Sequence, residues 1–283
     1  MRQQSLLNTY FDHFTGNTMK FSPVKIAASL AILASTASFA QTKAPEPDYT
    51  LAYSAGIVTD YRFRGIAQTA FKPALQLTAD FTHKNGFYLG AFGSNVNWVK
   101  DFNGATKGSY ELDLYGGYKG SITKDLTYDL GLIAYVYPGN NSGAAVTPGA
   151  GQYSNANTTE IYGALTYSVA TFKYNRSIGN YLGFLKSSGS QYFDLSANFD
   201  LGSGFTLTPH VGVQRIPNQG LGGNVGNYTD YALTVAKDFG SGISGTAALI
   251  GTNTKTGANT FYRDNNNKDL GKGALVVGVK YSF

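Results

Sequence analysis

From Tyr49 to Phe283 the sequence runs through segments of about ten residues in which apolar and polar side chains alternate, and that period belongs to strands. In "SYELDLYGGYKG", Tyr110, Leu112, Leu114 and Tyr118 share one face, and Glu111 and Asp113 share the other. Leu126, Tyr128, Leu130, Leu132 and Val136 oppose Thr127 and Asp129. Phe193, Leu195, Ala197, Phe199 and Leu201 oppose Asp194, Ser196, Asn198 and Asp200. Phe205, Leu207, Val211 and Val213 oppose Thr206, Thr208, His210 and Gln214. A strand sends successive side chains to opposite faces, so each segment has one apolar and one polar side.

The pattern predicts twelve strands, near 49–64, 73–83, 87–97, 109–119, 125–137, 157–169, 171–178, 190–200, 204–214, 228–238, 242–252 and 273–283. Short connections ("KNG" at 84–86, "SITKD" at 121–125, the step at Ala170, "GSG" at 202–204 and 240–242) alternate with long ones such as 138–156, 215–227 and 253–272. Outer-membrane barrels sort their loops in this way and have an even strand number. A soluble β-sandwich has no reason to do so. A lipocalin-like barrel puts its apolar face inside and stops at eight strands. The expected fold is therefore all-β: a transmembrane antiparallel up-and-down β-barrel of about twelve strands over 49–283, with both termini periplasmic.

Composition agrees. Charged residues make up 14% of the chain, against roughly 25% in an average soluble domain. Glycine (35), tyrosine (21) and phenylalanine (18) are abundant, and there is no cysteine, so disulfides and thiolate metal sites are excluded. Residues 20–40, "KFSPVKIAASLAILASTASFA", combine a basic start (Lys20, Lys25), an apolar run (Ile26 to Phe39) and small residues at Ser38 and Ala40. This pattern predicts a signal peptide over 19–40, cleaved before Gln41. Residues 1–18 read as a spurious N-terminal extension ahead of it, and "QTKAPEPD" (41–48) as a periplasmic lead-in. Removing residues 1–40 leaves 19 basic against 16 acidic residues, a net of +3. With no basic cluster, that balance argues against nucleic-acid binding.

The parity assigns a lumen. Asp60, Arg62, Arg64, Glu111, Asp113, Asp129, Glu160, Asp194 and His210 fall on the interior face, with the bulky Tyr115, Tyr135, Tyr162 and Tyr192 beside them. An arginine facing lipid near the midplane costs about 2–4 kcal/mol. The same parity extends the first strand's lipid-facing stripe through Tyr61 and Phe63, sets Arg62 and Arg64 in luminal water, and has Gly65 begin the turn off the wall. The two arginines are expected either to line a constriction selecting anions or to brace the wall in ion pairs with the six carboxylates just named. The last strand, "ALVVGVKYSF", places Leu275, Val277, Val279, Tyr281 and Phe283 on one face up to the final residue. Tyr281 and Phe283 resemble the terminal signature read by the barrel-assembly machinery.

"DYRFRGIAQT" also resembles the hallmark of the TorF family, a group of porin-like outer-membrane proteins, with Asp60, Tyr61, Phe63, Arg64, Gly65, Gln68 and Thr69 matching. The likeness continues through 73–96, 110–120 and the final strand. It implies an outer-membrane porin and carries no established substrate. Within that motif position 62 varies, so Arg64 is the stronger functional candidate of the two.

The expected activity is passive diffusion of small hydrophilic solutes through a narrow charged lumen in the bacterial outer membrane, with outer-membrane lipids and the assembly machinery as partners. A non-conducting structural or receptor barrel is the alternative, because twelve strands lie between the side-chain-filled eight and the channel-forming 16–18. An outer-membrane lipid-modifying enzyme fits less well: His83 and His210 are the only histidines after Gln41, and neither sits with a nucleophile near the external leaflet. No enzymatic role, cofactor or metal is expected. "GLGGNVG" (220–226) lacks the helix of a nucleotide loop, and "RDNNNKD" (263–269) lacks the spacing of a calcium loop, which leaves the latter as a solvated external loop.

Overall fold

The computed structural model describes residues 47–143 and 153–283. The expected extension (1–18), the signal peptide (19–40), most of the lead-in (41–48) and part of the 138–156 loop lie outside the described residues.

The alternating segments become β1 (Tyr49–Val58), β2 (Ala74–His83), β3 (Phe87–Asn95), β4 (Tyr110–Ser121), β5 (Leu126–Val136) and β6 (Thr158–Tyr167). They continue as β7 (Ala170–Ser177), β8 (Gln191–Ala197, resumed at Phe199–Gly202), β9 (Phe205–Arg215), β10 (Tyr228–Gly240), β11 (Ile243–Thr252) and β12 (Ala274–Ser282). Each pairs antiparallel with its neighbour in sequence, and β12 returns to pair with β1 from Ser54↔Ser282 to Val58↔Gly278. The sheet is thus a closed twelve-stranded barrel with no free edge, which satisfies every strand's backbone within a membrane.

Leu51, Leu75, Leu130, Leu132, Leu249 and Leu275 are exposed on the outer wall. The residues between them, such as Gln76, Asp129, Glu160 and Asp194, are buried inside. This inverts a soluble protein, as a hydrocarbon solvent requires.

One end carries the short turns at 84–86, 122–125, 168–169, 203–204 and 241–242. Ser203 and Gly204 have φ of 51° and 77°, the two left-handed residues of a type I′ hairpin, whose twist suits antiparallel strands. The other end carries every long connection: 59–73, 96–109, 137–157, 178–190, 216–227 and 253–273.

The structure departs from the expected strands mainly in β1, which ends at Val58 rather than running to residue 64. The next segment forms a small hairpin (Arg62–Phe63 against Ile66–Ala67). Among the described residues the single short helix, α1 (Trp98–Asp101), buries Trp98 and Val99.

Candidate functional site

The chain leaves the wall after Val58 and returns at Ala74, and these two residues are register partners. The excursion comes back to where it left, having folded into the mouth of the barrel. Every residue from Asp60 to Ala70 is buried. Tyr61 and Phe63 therefore do not continue the lipid-facing stripe. Period two is a property of strands, and β1 stops pairing with β2 beyond Val58.

Gly65 does not start the departure either. It is the second residue of a two-residue turn, with φ of 48° at Arg64 and 79° at Gly65, again the type I′ arrangement. A Cβ on Gly65 would lie 2.6 Å from Thr252 Cγ2 and 2.7 Å from Asp230 Cβ. Conformation and the nearness of the β10–β11 wall both demand glycine there.

The turn drives Arg64 across the lumen. Its Nη1 and Nη2 donate to Glu160 Oε1 and Oε2 at 3.0 and 2.6 Å, a bidentate pair. Nη1 also donates to Gln214 Oε1 at 2.9 Å, and the guanidinium stacks 4.2 Å from the centre of the Tyr192 ring. Arg62 Nε donates to Asp60 Oδ2 at 2.5 Å, and its Nη1 donates to the carbonyls of Gly65 and Lys272, each at 2.9 Å. Arg62 and Arg64 are 1% and 2% exposed. Neither faces luminal water, as the parity alone had suggested; both are enclosed and charge-paired.

The remaining acids brace other parts. Tyr61 Oη donates to Glu111 Oε1 at 3.0 Å, and Asp113 lies two residues along the same face of β4. Burial first, then the charges of Glu111 and Asp113, push the Tyr61 hydroxyl above its ordinary range, so it stays a donor. Burial likewise pushes the Asp60 carboxyl up, only partly offset by Arg62 and by Thr69. His210 bridges two strands, with Nδ1 3.2 Å from Asp194 and Nε2 2.8 Å from Asp230.

Nearer the short-turn end, Tyr88 donates to Asp129 and meets the Tyr162 hydroxyl. Tyr115 donates to Asp80 at 2.6 Å. Lys173 lies 4.2 Å from the centre of the Tyr162 ring. The nine interior candidates all turn inward, and of the six carboxylates named with them only Asp60 and Glu160 meet an arginine.

The long connections complete the closure. Gln68 O accepts from the N–H groups of Asn97 and Trp98 at 2.8 and 3.1 Å, and Ala67 N–H donates to Leu270 O at 2.9 Å. Phe63 packs edge-on to Tyr135 at 5.2 Å. Trp98, Phe102, Phe184, Ile216 and Tyr262 form one apolar cluster with Phe63 and Ile66. The mouth at the long-loop end is thus filled by side chains. In "RDNNNKD", Asp264 is buried rather than solvated, because its Oδ1 accepts from the N–H groups of Asn266 and Lys268 at 3.0 and 2.7 Å.

Sequence reasoning missed Asp230, Tyr181 and Tyr137. Asp230 opposes Tyr231 and Leu233 in β10, so the parity rule could have found it. Tyr181 and Tyr137 are loop residues turned inward, and no periodic signal marks them.

No curated protein matches the sequence. Among solved structures the fold is similar to that of the KdgM porin, described in one structure as in complex with disordered oligogalacturonate. That match has a TM-score of 0.50 and 9% identity, and it covers 82% of this chain and 98% of that one. The NanC porin matches with a TM-score of 0.50 and 11% identity, over 82% of this chain and 99% of that one. At such identities the likeness is one of fold. The sequence pattern of the bacterial family of unknown function called Gcw_chp matches residues 42–283, and the chain belongs to that family.

Proposed function

We propose that the protein is an outer-membrane channel for passive diffusion of small hydrophilic solutes, whose external mouth is held shut in this conformation by the segment 59–73. The observation that carries this reading is a closed barrel with an apolar outer wall and a charged interior, blocked by a segment that leaves and rejoins the wall at one point. A merely structural barrel can be filled by the side chains of its own wall and has no need of a separate segment folded into its mouth. The fold shared with two porins supports the channel, as does the likeness of 59–69 to the TorF family. The oligogalacturonate of the KdgM complex is in keeping with a hydrophilic solute.

In this reading the long loops are external and both termini periplasmic. The signal peptide over 19–40 takes the chain across the inner membrane, and Tyr281 and Phe283 present the terminal strand to the assembly machinery. The enclosure of Arg62 and Arg64 in ion pairs supports a role in holding the segment in place rather than in lining an open constriction.

Burial of residues 60–70 gives the non-conducting receptor barrel its specific support, so the test must separate the two. Conductance is measured in planar bilayers for the wild-type barrel and for a variant in which residues 60–70 are replaced by a short Gly-Ser linker. The channel reading expects rare or small openings in the wild type and steady conductance in the variant. Silence in both decides for the non-conducting barrel.

A further inference from the structure

On the outer wall, every aspartate and glutamate of the twelve strands is absent, because the parity turns them all inward. The outward-facing strand positions are apolar or small with few exceptions. Lys237 and His83 stand at the short-turn end, and Arg176 and Arg215 at the long-loop end. The two arginines are not scattered. Arg176 of β7 and Arg215 of β9 are both register partners of Gln191, the first residue of β8. They flank it in one row on three adjacent strands.

Strands lie about 4.8 Å apart, so the two backbones are separated by about 10 Å, a span that two arginine side chains converging on one group can bridge. Both side chains are exposed, and neither takes part in an ion pair among the described residues. Arg215 lies 5.7 Å from the centre of the Phe193 ring. Phe193 in turn packs on Tyr174 at 5.0 Å, one outward position further into the wall.

This order of side chains describes a membrane boundary. Aromatic rings collect at the headgroup level, and below Tyr174 and Phe193 the wall continues as exposed Phe172, Leu195 and Val211. An outward arginine is tolerated only near that boundary, where its cost falls to about 0–1 kcal/mol. The loop that precedes β8 carries an exposed Lys186, whose backbone carbonyl accepts from Asn218 Nδ2 at 2.8 Å. Leu185 and Ile178 of the same loop are exposed apolar residues.

Two guanidinium groups outside any ion pair among the described residues, with a hydrocarbon-facing wall beneath, match a ligand with an anionic head and apolar tails. The planar fork of arginine fits phosphate oxygens bidentately. We infer that Arg176, Gln191 and Arg215 form a binding site for the phosphate-bearing headgroup of a lipid in the external leaflet. The inference rests on the barrel spanning the outer membrane with its long loops outside, and not on whether it conducts.

Native mass spectrometry of the barrel, released from a neutral detergent, tests the site. The probes are phosphatidic acid and phosphatidylcholine with the same acyl chains. The wild-type protein is expected to retain phosphatidic acid roughly tenfold better than phosphatidylcholine. Arg176→Gln with Arg215→Gln should bring phosphatidic acid down to the phosphatidylcholine level. Arg176→Lys with Arg215→Lys should retain an intermediate amount, with charge but without the fork, and Lys237→Gln at the opposite end should change nothing. Equal retention by the double glutamine variant, or no discrimination by the wild type, overturns the site. Because the substitutions are on the exposed wall, heat-modifiable gel migration verifies that each variant keeps its barrel.

Discussion

Arg64 holds an unfavourable backbone conformation, φ 48°, at a cost of roughly 1–2 kcal/mol for a non-glycine residue. The bidentate pair with Glu160 offsets it. Glu160 also accepts from Tyr135 Oη at 3.3 Å and Asn175 Nδ2 at 3.2 Å, so its site is built for a charged carboxylate. Removing only the arginine leaves that carboxylate buried without its counter-charge, which typically costs about 3–5 kcal/mol. Arg64→Ala is therefore expected to lower the unfolding free energy of the detergent-solubilised barrel by about that amount. Adding Glu160→Gln should recover most of the loss, because the pair is coupled. Simple addition of the two effects in urea titrations would mean that the residues do not act as a unit.

The interior address of Glu160, Asp194 and His210 was legible in the sequence because each sits in a strand with unbroken alternation. Tyr61 and Phe63 were not, since "YRFR" goes on alternating after the strand has ended. Nothing in the alternation marks Thr59 as the point of departure. The strand's excessive length did carry a warning: sixteen residues from 49 to 64 exceed the roughly 9–11 needed to span a bilayer.

At the scale of elements, the segment 59–73 is a filling rather than a part of the wall. Val58 and Ala74 face each other in the β1–β2 ladder, so a turn of a few residues can join them without disturbing either strand. Besides the bonds of Arg64 to Glu160 and Gln214 on the wall, contacts with other long connections fix the segment: Gln68 with Asn97 and Trp98, Ala67 with Leu270, and Lys268 Nζ donating to Ala70 O at 3.0 Å. The replacement of 60–70 proposed above should accordingly leave the heat-modifiable gel shift of the barrel intact. It should also expose Glu160 and Tyr192 to luminal water, which makes a Tyr192→Cys side chain reactive to a polar maleimide in the variant and protected in the full-length barrel. Equal labelling of both would mean that the mouth is already open. The Phe63–Ile66 turn has a local signature, glycine second in a two-residue loop, but no periodicity announces its inward direction. That direction is set by Glu160 and Gln214 on the far wall, at sequence separations that no local pattern encodes.

For the molecule as a whole, closure depends on the last strand meeting the first. The strand count and the sorting of loops by length were readable because both follow from crossing a bilayer repeatedly, whereas the filled mouth arises from tertiary contacts between loops. Phe283 completes the seam: Tyr53 N–H donates to Phe283 O at 3.1 Å, and Phe283 N–H donates to Tyr53 O at 3.0 Å. The Phe283 ring stacks on Tyr53 at 6.0 Å and on Tyr281 at 5.7 Å. Two roles are thus combined in one residue, a seam contact and the proposed assembly signal, and they make different predictions. Two backbone hydrogen bonds contribute about 1 kcal/mol each, a small part of a seam that already pairs Ser54 through Val58 with β12. Deleting Phe283 should therefore change refolding into detergent only slightly. If the assembly machinery reads this terminus, the same deletion should lower the amount of folded barrel in the outer membrane severalfold. Comparable losses in both measurements would assign Phe283 to the seam alone, and unchanged amounts in the cell would remove the terminal strand's proposed role as a signal.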